Sequence, residues 1–184
     1  MRYLAFTLLI PLAAVAAEVA GVKLDDKTQV ESRELVLNGA GLRKRVIFNV
    51  YVAGLYLAEK KSDVASILQL GGPKRVAIHM LRDVAADQFT EALVEGLRAN
   101  HSEAEFGSLE PRVKDLSDIM AEIKEAKKGM IIALDWTGSA TRLVVNGKPA
   151  GKAISGEDFY RALLRIWLGE KPVQEDLRKA LLGA

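Results

Sequence analysis

The chain has 184 residues, of which 49% are hydrophobic and 27% are charged, and its formal net charge is +2 at pH 7. This length suits one domain, and the composition is ordinary for a soluble globular protein. Near-neutral charge without a long Lys/Arg run argues against nucleic-acid binding, and the lack of cysteine excludes disulfides and thiol chemistry.

Residues 1–17 are predicted to be a secretory signal peptide. Arg2 supplies a positive charge, residues 4–15 form a short apolar run, and alanines spaced for cleavage follow. The run is too short to span a membrane, so we expect no stable membrane insertion, with a retained N-terminal anchor as the alternative. The sequence therefore predicts a mature domain of residues 18–184 in the periplasm of a Gram-negative bacterium.

The first half of this domain is predicted to be mainly strands. Residues 22–30 are expected to be extended with a turn at Asp25 and Asp26, and residues 33–37 lead into a glycine-containing corner at residues 38–41. That corner is expected to place Arg43 before the next strand.

Residues 46–57 predict a long strand, because they are rich in Val, Ile, Phe and Tyr. Both faces are mostly apolar, so we expect the strand to be covered on both sides. Asn49 and Tyr51 are the exceptions, and their spacing places them on one face. Buried polar groups require a partner or a ligand.

Helical patterns dominate the middle of the chain. A short helix at residues 64–70, with Asp63 as its cap, and a strand at residues 75–81 come first. An amphipathic helix is predicted at residues 85–100, where glycine at position 96 indicates close packing or space left for something. A second amphipathic helix is expected to start at Pro111 and to end at Gly129.

Strands return near the C-terminus and are followed by helices. Strands at residues 130–136 and 141–146 are predicted to form a hairpin, and Asn146-Gly147 indicates a second hairpin leading to residues 150–154. Ser155 and Asp158 suggest a capping box for a helix that includes residues 159–167 and that Gly169 ends. The last helix is expected to open at Pro172. This order favours an α+β fold, with an antiparallel sheet covered by helices on one face.

Several of these segments resemble the chalcone isomerase family over essentially the whole mature chain. The resemblance is carried by Gly39-Ala40-Gly41-Leu42-Arg43, by Gly54-Leu55-Tyr56-Leu57, and by the later pairs Met80-Leu81, Gln88-Phe89, Lys128-Gly129 and Leu168-Gly169, with Thr137-Gly138-Ser139 at a hairpin. It implies an open-faced β-sandwich, in which a large antiparallel sheet is covered by a layer of helices with a ligand cleft between them.

Enzymes of that family close a chalcone into a flavanone by intramolecular attack of a phenolate oxygen. The resemblance matches their arginine to Arg43, their tyrosine to Phe89 and their asparagine to Gly96, and places a threonine at about Tyr51 and a last-helix residue near Tyr160. A phenylalanine cannot polarise a carbonyl through a hydroxyl. We therefore expect no catalytic residues and no chalcone isomerisation.

An apolar cleft with one guanidinium fork suits a hydrophobic acid such as a fatty acid. The family's plant fatty-acid-binding branch is similar, because it keeps an arginine and a tyrosine for the carboxylate. The sequence thus predicts a non-catalytic binding protein without a metal or cofactor. The ligand-binding residues are expected to be Arg43, Asn49, Tyr51, Phe89, Gly96 and Tyr160.

Two alternatives stay open. Some bacterial members of the family are thought to hold haem, for which His79 or His101 would be an axial ligand and Arg43 a propionate partner; otherwise His79 is a strand residue and His101 caps a helix C-terminus. The other alternative is an isomerase or intramolecular lyase on an unrelated substrate, with Arg43 as the electrophile and Tyr51 or Tyr160 as the acid. No nucleophile elbow or metal-ligand spacing is present.

Overall fold

The computed structural model describes residues 17–184. The predicted signal peptide, except for Ala17, lies outside the described residues. The strands, in chain order, are β1 (Ala17–Val19), β2 (Val22–Leu24), β3 (Lys27–Val30), β4 (Arg33–Arg45), β5 (Phe48–Leu57), β6 (Lys74–Met80), β7 (Val84–Ala85), β8 (Glu125–Ala126), β9 (Ile131–Trp136), β10 (Ala140–Val145) and β11 (Lys148–Ser155). The helices are α1 (Val64–Gln69), α2 (Ala86–Ala99), α3 (Glu103–Ile123), α4 (Glu157–Leu168) and α5 (Glu175–Leu181).

One antiparallel sheet organises the fold. Among residues 17–184 it has seven strands in the order β11-β10-β9-β6-β5-β4-β3. Its inner face packs against the helices around a large apolar core that includes Leu55, Ile78, Leu97 and Trp167. The β1–β2 hairpin covers part of the outer face through a smaller cluster that includes Leu24. The predicted α+β class, with helices layered on a large antiparallel sheet, is confirmed.

Elements with strong local signals lie where the sequence predicts them. Asp63 caps α1 by accepting a hydrogen bond from the Ser66 amide at 2.8 Å. The turn between β10 and β11 is formed by Asn146 and Gly147, both with positive φ. No helix in the described part of the chain combines the length and the apolar composition needed to cross a membrane.

The predicted glycine corner at residues 38–41 is wrong, because β4 runs through it as one long strand. The glycines serve packing instead. A Cβ atom on Gly39 would overlap the Ala180 carbonyl oxygen, and one on Gly41 would lie 2.7 Å from the Ala180 Cβ. Helix α5 therefore lies directly on the backbone of β4, which only residues without a side chain allow.

The predicted strand at residues 46–57 starts two residues later. Val46 and Ile47 form the turn between β4 and β5, and they are exposed, as are Phe48 and Asn49. The strand is therefore covered on both faces only in its later part, from Val52 onward.

Three helix starts also differ from the prediction. Helix α3 begins at Glu103, since Ser102 and Glu105 form a reciprocal capping box, and Pro111 lies inside it. Helix α4 has Gly156 at its N-cap position, so Ser155 and Asp158 do not form the predicted capping box. The Asp158 carboxylate instead accepts from Arg112 at 2.7 and 2.8 Å. Helix α5 begins at Glu175, beyond Pro172.

Helix α3 also ends earlier than predicted. Its last residue is Ile123 rather than a residue near Gly129, because Lys124 has a positive φ of 66° and the chain then enters β8.

We expect Gly39→Ala to lower the free energy of unfolding by about 1–3 kcal/mol, because the added methyl group forces α5 away from β4. Gly71→Ala is the matched control, since its Cβ would have no atom within 4 Å. Both changes remove the same chain flexibility from the unfolded state. Urea denaturation of the three proteins measures the difference, and equal loss of stability in both variants would contradict this role of Gly39.

Candidate functional site

A cleft of about 730 Å³ lies between the sheet and helix α2. Strands β4, β5 and β6 form one wall, α2 forms the other, and the end of α4 with residues 171–173 closes one end. Ligand sites in proteins commonly have volumes of roughly 300–1,000 Å³. The cleft is therefore large enough for a small organic ligand.

Arg43 lies in the wall of this cleft, directly across the β4–β5 ladder from Tyr51. Its Nη1 donates to the Lys44 carbonyl oxygen and to Gln174 Oε1, the latter at 3.3 Å. Gln174 also accepts from the Lys44 amide at 2.8 Å and donates to the Leu42 carbonyl oxygen at 3.1 Å. One glutamine thus ties three consecutive residues of β4 and holds the guanidinium through Nη1.

Arg43 has further donor groups at Nε and Nη2. Within residues 17–184, every hydrogen bond found for its guanidinium uses Nη1. Nε and Nη2 can therefore donate to an anionic group in the bidentate geometry typical of arginine. Gln174 has no signal in the sequence, because its contacts join positions more than a hundred residues apart.

Tyr51 adds a neutral donor beside Arg43. Its hydroxyl oxygen accepts a hydrogen bond from Trp167 Nε1 at 3.0 Å. Burial raises the pKa of Tyr51, and the Trp167 hydrogen bond and the charge of Arg43 offset only part of this rise. The phenol therefore keeps its proton at neutral pH. No acceptor for that proton is found within the described part of the chain, so it can be donated to a ligand.

Phe89 and Gly96 lie on the face of α2 that borders the cleft, and both are buried. Phe89 contributes only apolar surface. A Cβ atom on Gly96 would lie 2.8 Å from Ile166 Cγ2. Of the two explanations offered by the sequence, close packing is therefore correct, and Ile166 of α4 occupies the room that a side chain at position 96 would need.

Asn49 and Tyr160 lie outside the cleft. The β4–β5 register shifts between Arg43 and Lys44, so that Arg43 pairs with Tyr51 and Lys44 with Asn49. Val50 is thereby the extra residue of a β-bulge, which removes the alternation that placed Asn49 beside Tyr51. Tyr160 is 1% exposed and donates to the Leu134 carbonyl oxygen at 3.0 Å, so it belongs to the core.

Neither histidine lines the cleft. His79 lies on the outer face of the sheet beside Ala77, where burial lowers its pKa. The Nδ1 of His101 lies 2.8 Å from the Leu97 carbonyl oxygen at the end of α2. Among residues 17–184, no group of three or more His, Cys, Asp or Glu side chains is placed to hold a metal ion.

Charged groups also line the cleft. Besides Arg43 they include the cations Arg45, Arg82 and Lys171 and the anions Asp83 and Glu95. The Arg82 guanidinium lies 4.6 Å from the centre of the Phe48 ring, a cation–π contact. Cations outnumber anions four to two, so the electric field in the cleft favours an anionic ligand.

Comparisons with known proteins agree with this architecture. The family model described as chalcone isomerase-like matches residues 16–183. A solved structure of a fatty-acid-binding protein from Arabidopsis thaliana is similar, with a TM-score of 0.69 and 13% identity, over 88% of this chain and 92% of that chain. At this identity the likeness shows a shared fold. A search of curated proteins found no match.

The raised pKa of Tyr51 predicts a loss of stability at high pH. The folded protein keeps a proton that the unfolded chain releases above pH ~10, so the stabilisation is present below that pH and is lost as the pH rises above it. We expect the free energy of unfolding to fall less steeply above pH ~10 in Tyr51→Phe than in the wild type. Trp167→Phe should make it fall more steeply, because the donor that lowers the pKa is gone.

Chemical denaturation across an alkaline pH series measures these slopes. The difference between wild type and Tyr51→Phe isolates Tyr51 from Tyr56 and Tyr160, whose pKa values burial also raises. Identical slopes in the wild type and Tyr51→Phe would show that this hydroxyl is not buried as described.

Proposed function

Because the chain belongs to the chalcone isomerase-like family, and because Arg43 and Tyr51 line a cleft with apolar walls, we propose that it is a non-catalytic binding protein for a hydrophobic acid such as a fatty acid. The observation that carries the proposal is that Arg43 and Tyr51, which are directly opposite each other on β4 and β5, both line the cleft. On this proposal the protein uses no cofactor. The predicted signal peptide supports a periplasmic location.

The head group of the acid would bind at this pair. A carboxylate can accept from Nε and Nη2 of Arg43 and from the Tyr51 hydroxyl, all of which still have protons to donate. Such charge-assisted bonds are roughly twice as strong as neutral ones. The partial burial of the pair reduces competition from water, so the interaction is stronger than at an exposed site.

The tail would pack on the apolar walls of the cleft. Ile78 of β6, Phe89 and Leu93 of α2 and Ile166 of α4 supply aliphatic and aromatic surface. Each CH₂ group removed from water contributes about 0.8 kcal/mol. Affinity should therefore rise with chain length until the tail fills the cleft.

The chemistry of the lining supports binding rather than catalysis. A general acid or base works best with a pKa near the working pH. Among the described residues that line the cleft there is no histidine, and burial moves the pKa of Tyr51 further from neutrality. Phe89 has no proton to transfer. The Arabidopsis structure, which is named as a fatty-acid-binding protein, supports the choice of ligand class.

Arg43→Ala tests the head-group site. We expect the affinity for a long-chain fatty acid to fall about 30-fold or more, which corresponds to about 2 kcal/mol for a buried charge pair. Tyr51→Phe should cost less, by about 0.5–1.5 kcal/mol, because it removes one neutral donor. Calorimetric titration of the purified protein with a series of saturated fatty acids measures both effects.

Arg33→Ala is the matched control, since Arg33 is exposed at the start of β4, far along the strand from Arg43. It should bind like the wild type. A wild-type protein that binds no fatty acid in titration, and carries none when extracted after native purification, would overturn the proposed function. Equal affinity of Arg43→Ala and the wild type would overturn the head-group assignment alone.

A further inference from the structure

The large hydrophobic side chains exposed in the described part of the chain are gathered at one end of the sheet. Val46 is 90% exposed, Ile47 81%, Phe48 52% and Ile131 39%. The first two form the turn between β4 and β5 and Phe48 opens β5, and we call these three residues the apolar tip (residues 46–48). Ile131 starts β9 at the same end. Contiguous exposed apolar residues of this kind mark an interaction site.

The backbone of the apolar tip is strained without any gain in packing. Val46 has φ 57°, a left-handed conformation that β-branched residues rarely adopt. At the same end of the sheet, the turn between β10 and β11 uses Asn146 and Gly147 for its positive φ values of 48° and 79°. The chain thus has turn-forming residues at one hairpin and exposed Val-Ile at another hairpin on the same end of the sheet. Folding does not explain that choice, but a function of the apolar side chains does.

Unpaired positive charge surrounds the apolar tip. The antiparallel order brings residues 44–48, 81–84, 124–130 and 146–148 to the same end of the sheet, and we call these four segments the basic end. They contain seven exposed cations and two anions, namely Lys44, Arg45, Arg82, Lys124, Lys127, Lys128 and Lys148 against Asp83 and Glu125.

The excess of positive charge at the basic end is larger than that of the whole chain, whose net charge is only +2. The ion pairs found within residues 17–184 include none of the seven cations. The basic end therefore faces outward with its charge uncompensated. An anionic partner would complement it.

From these observations we propose that the apolar tip and the basic end dock on the surface of an anionic phospholipid bilayer. The side chains of Val46, Ile47 and Phe48 enter the boundary between head groups and acyl chains, and the surrounding lysines and arginines contact the anionic head groups. Arginine and lysine suit this position, because their aliphatic stems reach into the boundary while their charges stay at the head groups.

A bilayer fits this surface better than an acidic protein does. Stable protein interfaces bury roughly 800 Å² on each partner and need a matching socket. The apolar tip is narrow, because its turn has only two residues, and the side chains of that turn are highly exposed. A fluid boundary accepts such a shape without a preformed socket.

Docking would also bring the cleft to the membrane. Arg45, Val46 and Phe48 border the cleft as well as belonging to the basic end. A hydrophobic acid could then pass between the bilayer and the cleft with little exposure to water. This transfer step rests on the proposed function, whereas docking itself does not.

Vesicle flotation tests the docking. The purified protein should float with vesicles of equimolar phosphatidylglycerol and phosphatidylcholine, should float poorly with pure phosphatidylcholine, and should be released by salt. Lys127→Glu/Lys128→Glu should weaken binding about tenfold or more, given the contribution of each basic residue near an anionic surface. Ile47→Asn should weaken it without a change in net charge.

The matched control is Arg33→Glu/Lys60→Glu, which makes the same charge change with exposed residues at the opposite end of the sheet. It should bind vesicles like the wild type. Ile47, Lys127 and Lys128 do not line the cleft, so fatty-acid titration of their variants in solution should be unchanged. A failure of the proposed function and a failure of docking are thereby distinguished.

Two results would overturn the docking. One is a protein that binds fatty acid but floats with neither kind of vesicle. This result would overturn the docking even if the basic end binds soluble polyglutamate, an acidic polypeptide. The other is flotation that Ile47→Asn leaves intact and that both charge variants weaken equally, because that pattern reflects overall charge rather than the apolar tip. Flotation that depends on Ile47 and on Lys127/Lys128, but not on the control pair, supports it.

Discussion

The contact between helix α5 and the backbone of strand β4 is the constraint on which the site depends. Gly39 and Gly41 allow the approach, and buried Asn38 fixes it by donating to the Leu181 carbonyl oxygen at 2.7 Å and accepting from the Lys61 amide at 2.7 Å. With α5 in this position, the segment before it lies over the end of β4. Gln174 then reaches the backbone on both sides of Arg43. The orientation of the guanidinium is therefore set by helix packing some distance away, and not by the strand alone.

The parts of this structure that could be predicted from sequence are those held by local interactions. The Asp63 cap, the Asn146-Gly147 turn and the apolar face of α2 each depend on residues a few positions apart. The glycines near Arg43 serve close packing rather than the predicted corner, and a glycine required for a turn looks the same in a sequence as one required for close packing. Ser102 and Pro111 are competing start signals for α3. The capping box of Ser102 and Glu105 satisfies two backbone amide groups, whereas Pro111 inside the helix costs one hydrogen bond.

The site was predictable only where a resemblance supplied the positions. Arg43, Tyr51, Phe89 and Gly96 do border one cleft. Asn49 does not border it. The register of a strand is decided by its pairing with neighbouring strands, and the bulge at Val50 breaks the alternation of side chains that would place Asn49 on the same face as Tyr51. A tyrosine in an apolar helix is equally compatible with a cleft and with a core, and Tyr160 lies in the core since the Leu134 carbonyl satisfies its hydroxyl. Arg43 is hydrogen-bonded to Gln174 and Tyr51 to Trp167. Both partners come from distant parts of the chain, so no local sequence signal predicts them.

The hairpin of β4 and β5 carries both the proposed head-group site, at Arg43 and Tyr51, and the apolar tip. Each suits a long-chain acid. In its inner part, Trp167 and Arg43 surround a phenol that burial keeps protonated, so the pair offers positive charge and a neutral donor but no base. On the proposed function, this pair would stabilise a carboxylate. At its tip, the same two strands expose Val46 and Ile47 among unpaired cations. A long-chain acid has a charged head and an apolar tail, and it partitions into bilayers. The strand pair therefore combines, within one continuous element, a site suited to the head group and a surface suited to the membrane in which such a ligand is concentrated.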